Sequence, residues 1–416
     1  MTTAITEREV VETADAVARR SYGRLVAYLA ARTRDLAAAE DAVSEAFAAA
    51  LADWPHSGCP LNPEAWLMTA ARRKIIDAAR RMQTTDNAVP QLQLMAEELQ
   101  AASAEDEIPD RRLALMFACA HPAIDAEVRA PLMLQVVVGL DAKTIASAFL
   151  ISPSAMGKRL GRAKNKIQQA GIPFRIPGHD ELAERLDTVL DATYAAFAEG
   201  WTDPGGTDAA RRDLTEEAFF LARLIVELMP DEPEPLGLLA LMLFAEARRA
   251  ARRTNEGDYV PLAAQDVALW SVAMIDEAEK LLAHASTYKV LGRFQLEAAL
   301  QSAHVMRRYM GRDNWSDVVA LYDALYALAP SPVIAINRAL AIAECDCPRA
   351  ALDAMPKPAV DPRLNQYQPY WAARASLLAR IGAKHIACEA YELAIGLERD
   401  DAVRRFLQQR QAELLA

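Results

Sequence analysis

The chain has 416 residues, of which 52% are hydrophobic, 25% charged and only 6% aromatic. This length predicts two to four domains, and the Ala-rich composition without alternating Val, Ile and Thr favours helices and excludes a large sheet. The net charge of −11 argues against a nucleic-acid partner, but residues 1–170 carry about −1 of it, so basic patches can lie within that part.

The first predicted element is a helical segment over residues 10–85, with an irregular interruption at residues 54–63. One of its helices carries an apolar stripe at i, i+4, i+8 beside two acidic positions, comprising Val43, Phe47, Leu51, Asp41 and Glu45. An apolar seam with acidic flanks suits docking onto another helical protein. An ordinary amphipathic surface helix would have the same pattern.

A basic helix follows the Pro-rich interruption, over residues 65–81. It carries five cations against the single acid Asp77, namely Arg72, Arg73, Lys74, Arg80 and Arg81. A cationic helix beside a loop that ends at Asn62 and an aromatic side chain, Trp66, can read unstacked single-stranded bases. A tryptophan that packs in the core is the alternative role for Trp66.

Residues 86–110 predict an acidic linker, because they contain seven Asp or Glu residues and neither Lys nor Arg. The linker could follow a basic channel on a partner, or it could be a simple solvated tether.

A helix-turn-helix pattern lies within the next helical segment, residues 111–170. Asp141 and Ser152 are suitable N-cap residues, and Pro153 suits the first position of the second helix. That helix has an apolar face made of Met156, Leu160, Ala163 and Ile167. Its cationic face carries Lys158, Arg159, Arg162 and Lys166, which have the reach to contact phosphates and base edges in a major groove. A solvated basic helix is the alternative.

Residues 171–178 break the helical pattern, and the remaining chain, residues 179–416, reads as pairs of helices. Weak repetition is visible, since Tyr322 and Tyr391 lie 69 positions apart, close to two tetratricopeptide periods. The spacing of Ala387, Tyr391 and Ala394 after Gly382 also fits such a repeat. The tail is therefore predicted to be tetratricopeptide-like, with an irregular helical bundle as the alternative.

The sequence predicts neither an enzyme nor a metal or cofactor site. The cysteines are odd in number, and Cys345-Asp-Cys347 lacks a second ligand pair at zinc spacing. The six histidines are scattered without a Ser/His/Asp order or a phosphate-binding loop. Because neither a secretory segment nor a membrane-spanning run is recognisable, we expect a cytoplasmic protein without a membrane partner.

The order of these motifs resembles the extracytoplasmic-function sigma factors of bacterial RNA polymerase. The stretch Asp-Ala-Val-Ser-Glu-Ala-Phe, residues 41–47, is similar to their second region, and the helix-turn-helix is similar to their fourth region. The motif at residues 111–122 and those at 228–234 and 331–339 are similar to the subgroup with a long tetratricopeptide-like extension. Thr144 departs from the family, which often has Glu at that position.

The resemblance implies an all-α protein with two small helical sigma domains, residues 10–85 and 111–170, joined by the acidic linker and followed by the helical extension. It implies that core RNA polymerase, through its largest subunits, is bound by Asp41, Glu45 and Phe47. The −10 element would be read by Asn62, Trp66, Arg72, Arg73, Lys74 and Arg80. The −35 element would be read by Ser154, Lys158, Arg159 and Arg162.

The resemblance also implies that promoter DNA is the ligand and that the chain itself neither uses a cofactor nor catalyses a reaction. The extension would control activity, and it can hold a protein or peptide partner. The alternative is a stand-alone helix-turn-helix regulator with a tetratricopeptide-like interaction domain, which would bind an operator without polymerase.

Overall fold

The computed structural model describes residues 7–83, 110–149, 151–201 and 209–415 of the chain. These residues form eighteen α-helices and no strand, so the all-α prediction is confirmed. The first nine are α1 Glu7–Thr33, α2 Leu36–Ser57, α3 Pro63–Gln83, α4 Arg112–Cys119, α5 Ala126–Met133, α6 Ala142–Ala148, α7 Pro153–Gln169, α8 His179–Trp201 and α9 Ala209–Leu228.

The remaining nine are α10 Pro233–Glu246, α11 Val272–Ser286, α12 Arg293–Met310, α13 Trp315–Leu328, α14 Pro332–Cys345, α15 Pro348–Ala354, α16 Gln368–Arg380, α17 Lys384–Leu397 and α18 Asp401–Leu415. A π-helical turn, Leu134–Val138, continues α5. Among the described helices, none is both long and apolar enough to cross a lipid bilayer.

The chain divides into two compact units, with the division inside α9. The first unit comprises residues 1–202 and 209–221, and the second comprises residues 203–208 and 222–416. Helix α8 packs against α4 and α5 and so lies in the first unit. The predicted division into two sigma domains, an acidic linker and a helical extension remains a sequence-based prediction.

The N-caps of the first unit follow from the sequence. Asp35 accepts the backbone N–H of Ala38 at 3.0 Å and begins α2, and Asn62 accepts that of Ala65 at 3.1 Å and begins α3. The irregular stretch is shorter than predicted, because α2 continues through Pro55 to Ser57. A proline in the last turn leaves that helix intact, and the chain leaves it at Gly58, whose φ of +84° suits glycine.

A shared core joins the two helical segments of the first unit. Helix α1 packs against α4 and the π-helical turn, and several of their side chains are fully buried, including Leu25, Leu29, Leu115, Phe117 and Leu134. The approach is so close that a Cβ at Gly23 would overlap the carbonyl of Val137. Residues 17–83 and 111–170 therefore form one packed body in this structure.

In the second unit, consecutive helices pack side by side: α13 contacts α14, α16 contacts α17, and α17 contacts α18. The repeat-spaced residues Ala387, Tyr391 and Ala394 lie in one buried cluster. Gly382, with φ of +79°, makes the turn between α16 and α17. The tetratricopeptide-like assignment remains a prediction about this stack of helices.

Candidate polymerase and DNA interfaces

Helix α7 separates apolar from cationic side chains as its sequence predicts. Ser152 accepts the backbone N–H of Ala155 at 3.2 Å, and this cap sets the start of the helix. The four predicted apolar residues are at most 7% exposed. Ser154, Lys158 and Arg162 are exposed on the opposite side. The helix therefore presents an exposed cationic face that a polyanion can contact.

Arg159 differs from its neighbours because its guanidinium forms an ion pair within the unit. Its Nη1 lies 3.2 Å from Oε2 of Glu127, which projects from α5 and is 74% exposed. Residues of α5 and α7 line an open cleft of about 450 Å³, including Glu127, Arg159, Arg162 and Lys166. A ligand that binds the guanidinium of Arg159 must therefore displace the carboxylate of Glu127.

The first helix of the helix-turn-helix begins at a strong cap. Asp141 accepts the backbone N–H groups of Lys143 and Thr144, both at 2.8 Å, and these bonds hold the pKa of its carboxyl below the usual range. Thr144 donates its hydroxyl to the same carboxylate at 3.1 Å. The threonine thus supports the cap through its side-chain hydroxyl. A glutamate at this position would instead accept the backbone N–H of the cap residue.

The cations of α3 have different environments. Arg73 is exposed, whereas Arg72 donates to the hydroxyl of Tyr28 at 3.0 Å and is half-buried. Lys74 Nζ lies 2.9 Å from Oε2 of Glu45, which joins a predicted DNA-binding residue to a predicted polymerase-binding residue. The side chains of Arg80 and Arg81 lie outside the described part of the structure.

Trp66 packs within the unit. Its ring lies edge-on to that of Trp54, with centroids 5.7 Å apart, and Trp54 is fully buried. Trp66 itself is half-buried. A base that stacks on it would use the part of the ring that remains exposed.

Helix α2 exposes the acids of the predicted docking face and buries part of the apolar stripe. Asp41 and Glu45 are exposed. Val43 is fully buried, Phe47 is half-buried against Tyr22 with ring centroids 6.1 Å apart, and Leu51 is 46% exposed. Phe47 and Leu51 therefore keep apolar surface that a partner can contact, while Val43 belongs to the protein's own core.

Two polar contacts between α2 and α7 were not predicted from the sequence. Glu40 forms a buried ion pair with Lys164, and Gln168 donates to Asp35 at 3.0 Å. Burial raises the pKa of the Glu40 carboxyl, and the charge of Lys164 opposes that shift. These contacts join the predicted polymerase-binding helix to the predicted DNA-reading helix.

The comparisons with known proteins agree with this arrangement at the amino-terminal end. Residues 17–85 match the model of sigma-70 region 2. An uncharacterized protein of Rhizobium meliloti (strain 1021) is 38% identical over 388 residues, which cover 91% of this chain and 89% of that protein. The chain carries a sigma-70 region 2 and belongs to one family with the rhizobial protein.

Sigma-70 region 2 of this chain spans most of α1 and all of α2 and α3, and so contains the candidate polymerase-binding and −10 residues. Its presence supports a sigma-factor-like role in transcription initiation. A second segment, residues 185–286, matches a family of unknown function, DUF6596, and crosses the division between the two units. No solved structure matches the chain.

Proposed function

We propose that this chain is a promoter-specificity subunit of the extracytoplasmic-function type, which binds core RNA polymerase and directs it to promoters. The observation that carries the proposal is the sigma-70 region 2, which the exposed cationic face of α7 accompanies in the same chain. Region 2 supplies the polymerase and −10 contacts, and α7 supplies a helix that fits the major groove of the −35 duplex.

In this proposal Asp41, Glu45 and Phe47 contact the polymerase. Arg73 and the exposed part of Trp66 contact the −10 strand, and α7 reads the −35 duplex through Ser154, Lys158, Arg159 and Arg162. The second unit controls these activities, and the chain itself catalyses no reaction.

Run-off transcription with purified core polymerase tests the proposal on the full chain. We expect Arg162→Ala to lower initiation from a promoter with a −35 element by about tenfold, because a good base or phosphate contact contributes about 1–3 kcal/mol. Asp41→Ala should weaken co-elution with the polymerase, while Arg162→Ala leaves it unchanged. Arg349→Ala, at an exposed arginine of the second unit, is the matched control.

A gel shift separates the proposal from a stand-alone regulator. The full chain should shift promoter DNA poorly until core polymerase is added. A tight shift by the chain alone, or a chain that never alters where polymerase initiates, would contradict the proposal.

A further inference from the structure

The second unit concentrates cationic side chains where α12 meets the segment after α10. Four arginines fall within residues 248–253, directly after α10. Helix α12 faces them with Gln301, His304 and Arg308 at i, i+3 and i+7, which places all three on one side of the helix. Arg307 lies beside them. We call Arg248, His304, Arg307 and Arg308 the arginine cluster.

Hydrogen bonds to neutral groups fix the two ends of the arginine cluster. Arg248 donates from Nη2 to the side-chain oxygen of Gln301 at 2.6 Å. Arg308 donates from Nη2 to the backbone oxygen of Gln265 at 2.8 Å. Between them, the guanidinium of Arg307 lies over the ring of Trp315, 3.7 Å from its centroid. The guanidinium groups are thus held in place without being neutralised.

Two neighbouring arginines of this unit, in contrast, are neutralised by carboxylates. Arg249 forms an ion pair with Glu246 at 2.7 Å, and Arg253 forms one with Asp400. Among the described residues, no carboxylate lies within 4 Å of a guanidinium nitrogen of Arg248, Arg307 or Arg308. Half-buried like charges without counterions are costly unless an anion joins them.

Burial, and to a lesser extent neighbouring positive charge, lowers pKa values in this region. Burial lowers the pKa of His304 to about 4, and the charges of Arg307 and Arg248 lower it further. Burial likewise lowers the pKa of Arg252 to about 10, with Arg253 and Arg248 among the contributing charges.

Several buried polar atoms of this region also lack a partner. Within the cluster they are Nδ1 of His304, Nη1 of Arg307 and Nε of Arg308. Beside it, Gln265 and Trp270 are each 4% exposed, and Oε1 of the former and Nε1 of the latter are unbonded. Buried donors normally find a partner, so the unbonded N–H groups of Arg307, Arg308 and Trp270, beside arginines with no carboxylate within 4 Å, indicate a missing anionic acceptor.

We propose that the arginine cluster binds a small molecule that carries adjacent phosphates. Guanidinium forks match phosphate oxygens in pairs, and Arg248 and Arg308 lie along one side of α12 with Arg307 beside them. Adjacent phosphates place several charges closer together than an extended acidic peptide, whose side chains on one face are about 7 Å apart. The proposal does not depend on the function of the first unit.

Isothermal titration of the full chain in phosphate-free chloride buffer tests this site, with inorganic pyrophosphate as the probe. We expect saturable binding that Arg307→Gln and Arg308→Gln each weaken by about tenfold or more, because a hydrogen bond to a charged group contributes about 1.5–3 kcal/mol. Arg308→Lys, which keeps the charge and one donor, should weaken binding less and guards against a folding defect.

Two controls locate the binding. Arg349→Gln, at an exposed arginine outside the cluster, and Arg162→Gln, on the DNA-reading face, should both bind pyrophosphate like the wild type. A parallel titration with ATP separates the sources of the phosphates. Tighter binding of ATP would indicate a nucleotide, with the 44% exposed ring of Tyr309 available for stacking, and equal binding would indicate the phosphates alone.

Three results would overturn the proposal. The first is the absence of saturable pyrophosphate binding, and the second is a loss of binding in Arg162→Gln but not in Arg308→Gln. The third is binding of a tetraglutamate peptide without binding of pyrophosphate or ATP, which would assign the cluster to an acidic protein segment.

Discussion

If α7 reads DNA as proposed, Glu127 competes with that DNA for Arg159. Its carboxylate lies 3.2 Å from Arg159, and both side chains are substantially exposed. Such a pair is worth at most about 1 kcal/mol, yet it must be broken before Arg159 can contact a phosphate or a base. We expect Glu127→Gln to raise the affinity of the polymerase complex for a −35 duplex by a few-fold, and more at low salt.

The measurement is a salt series of promoter binding by the polymerase bound to either chain. Glu184→Gln, which also removes an exposed carboxylate from the first unit, is the control for net charge. If both substitutions raise the affinity equally, overall charge and not Glu127 is responsible.

His304 should make the stability of the protein depend on pH. Its folded pKa of about 4 lies below its ordinary value, so the unfolded chain binds the proton more readily. The free energy of unfolding should therefore fall as the pH drops from about 6.5 to about 4, by at most about 1.4 kcal/mol per pH unit. Urea unfolding in phosphate-free buffer should show a shallower pH dependence for His304→Gln than for the wild type.

At the scale of elements, two glycines in helices should respond to alanine in opposite directions. Gly161 in α7 has open space where a Cβ would lie, so Gly161→Ala should raise the free energy of unfolding by about 0.5–1 kcal/mol. Gly23 in α1 has the Val137 carbonyl there, so Gly23→Ala should lower it by about 1–3 kcal/mol. Thermal unfolding of both variants checks this, and a stabilised Gly23→Ala would show that α1 and the π-helical turn do not pack so closely.

The local signals in the sequence predicted α7 well. Ser152, Pro153 and the apolar period at Met156 and Leu160 specify its start and its buried face, because caps and helical spacing act within a few residues. The predicted interruption begins at residue 54, whereas α2 ends at Ser57, because the last turn of a helix tolerates Pro55.

Contacts between distant segments could not be predicted in this way. Glu40 and Lys164 lie 124 positions apart in the sequence, and neither has a neighbour whose spacing would identify the other. The packing of Trp66 on Trp54 depends on the angle between α2 and α3, which no periodicity specifies. The arginine cluster likewise forms only when α12 meets the segment after α10.

At the scale of the first unit, the contact between α2 and α7 has to be reconciled with the distance between the two proposed promoter elements. The −10 and −35 elements lie about 25 base pairs apart, which is about 85 Å of duplex at 3.4 Å per base pair. Helices α2 and α7 are in direct contact through Glu40 and Lys164. Residues 84–109 number 26, and a chain of that length can span at most about 90 Å. Contact with both elements at once therefore requires α7 to leave α2.

A covalent bridge between the two helices should then block promoter use. Asp35 and Gln168 lie side by side across the contact, so Asp35→Cys and Gln168→Cys together can be joined by a short bis-maleimide. The background replaces the four cysteines that are not fully buried by serine, namely Cys59, Cys345, Cys347 and Cys388. We expect the bridged chain to lose initiation from a promoter that needs both elements by more than about tenfold, the factor that corresponds to about 1.4 kcal/mol.

The unbridged double variant and the bis-maleimide-treated Asp35→Cys variant separate this effect from damage by the substitutions or the reagent. Both should initiate at the rate of the cysteine-reduced background, since α7 can still separate from α2 in each. A bridged chain that initiates normally would mean that the two helices stay together on the promoter, and that α7 does not read a −35 duplex while region 2 occupies the −10 strand.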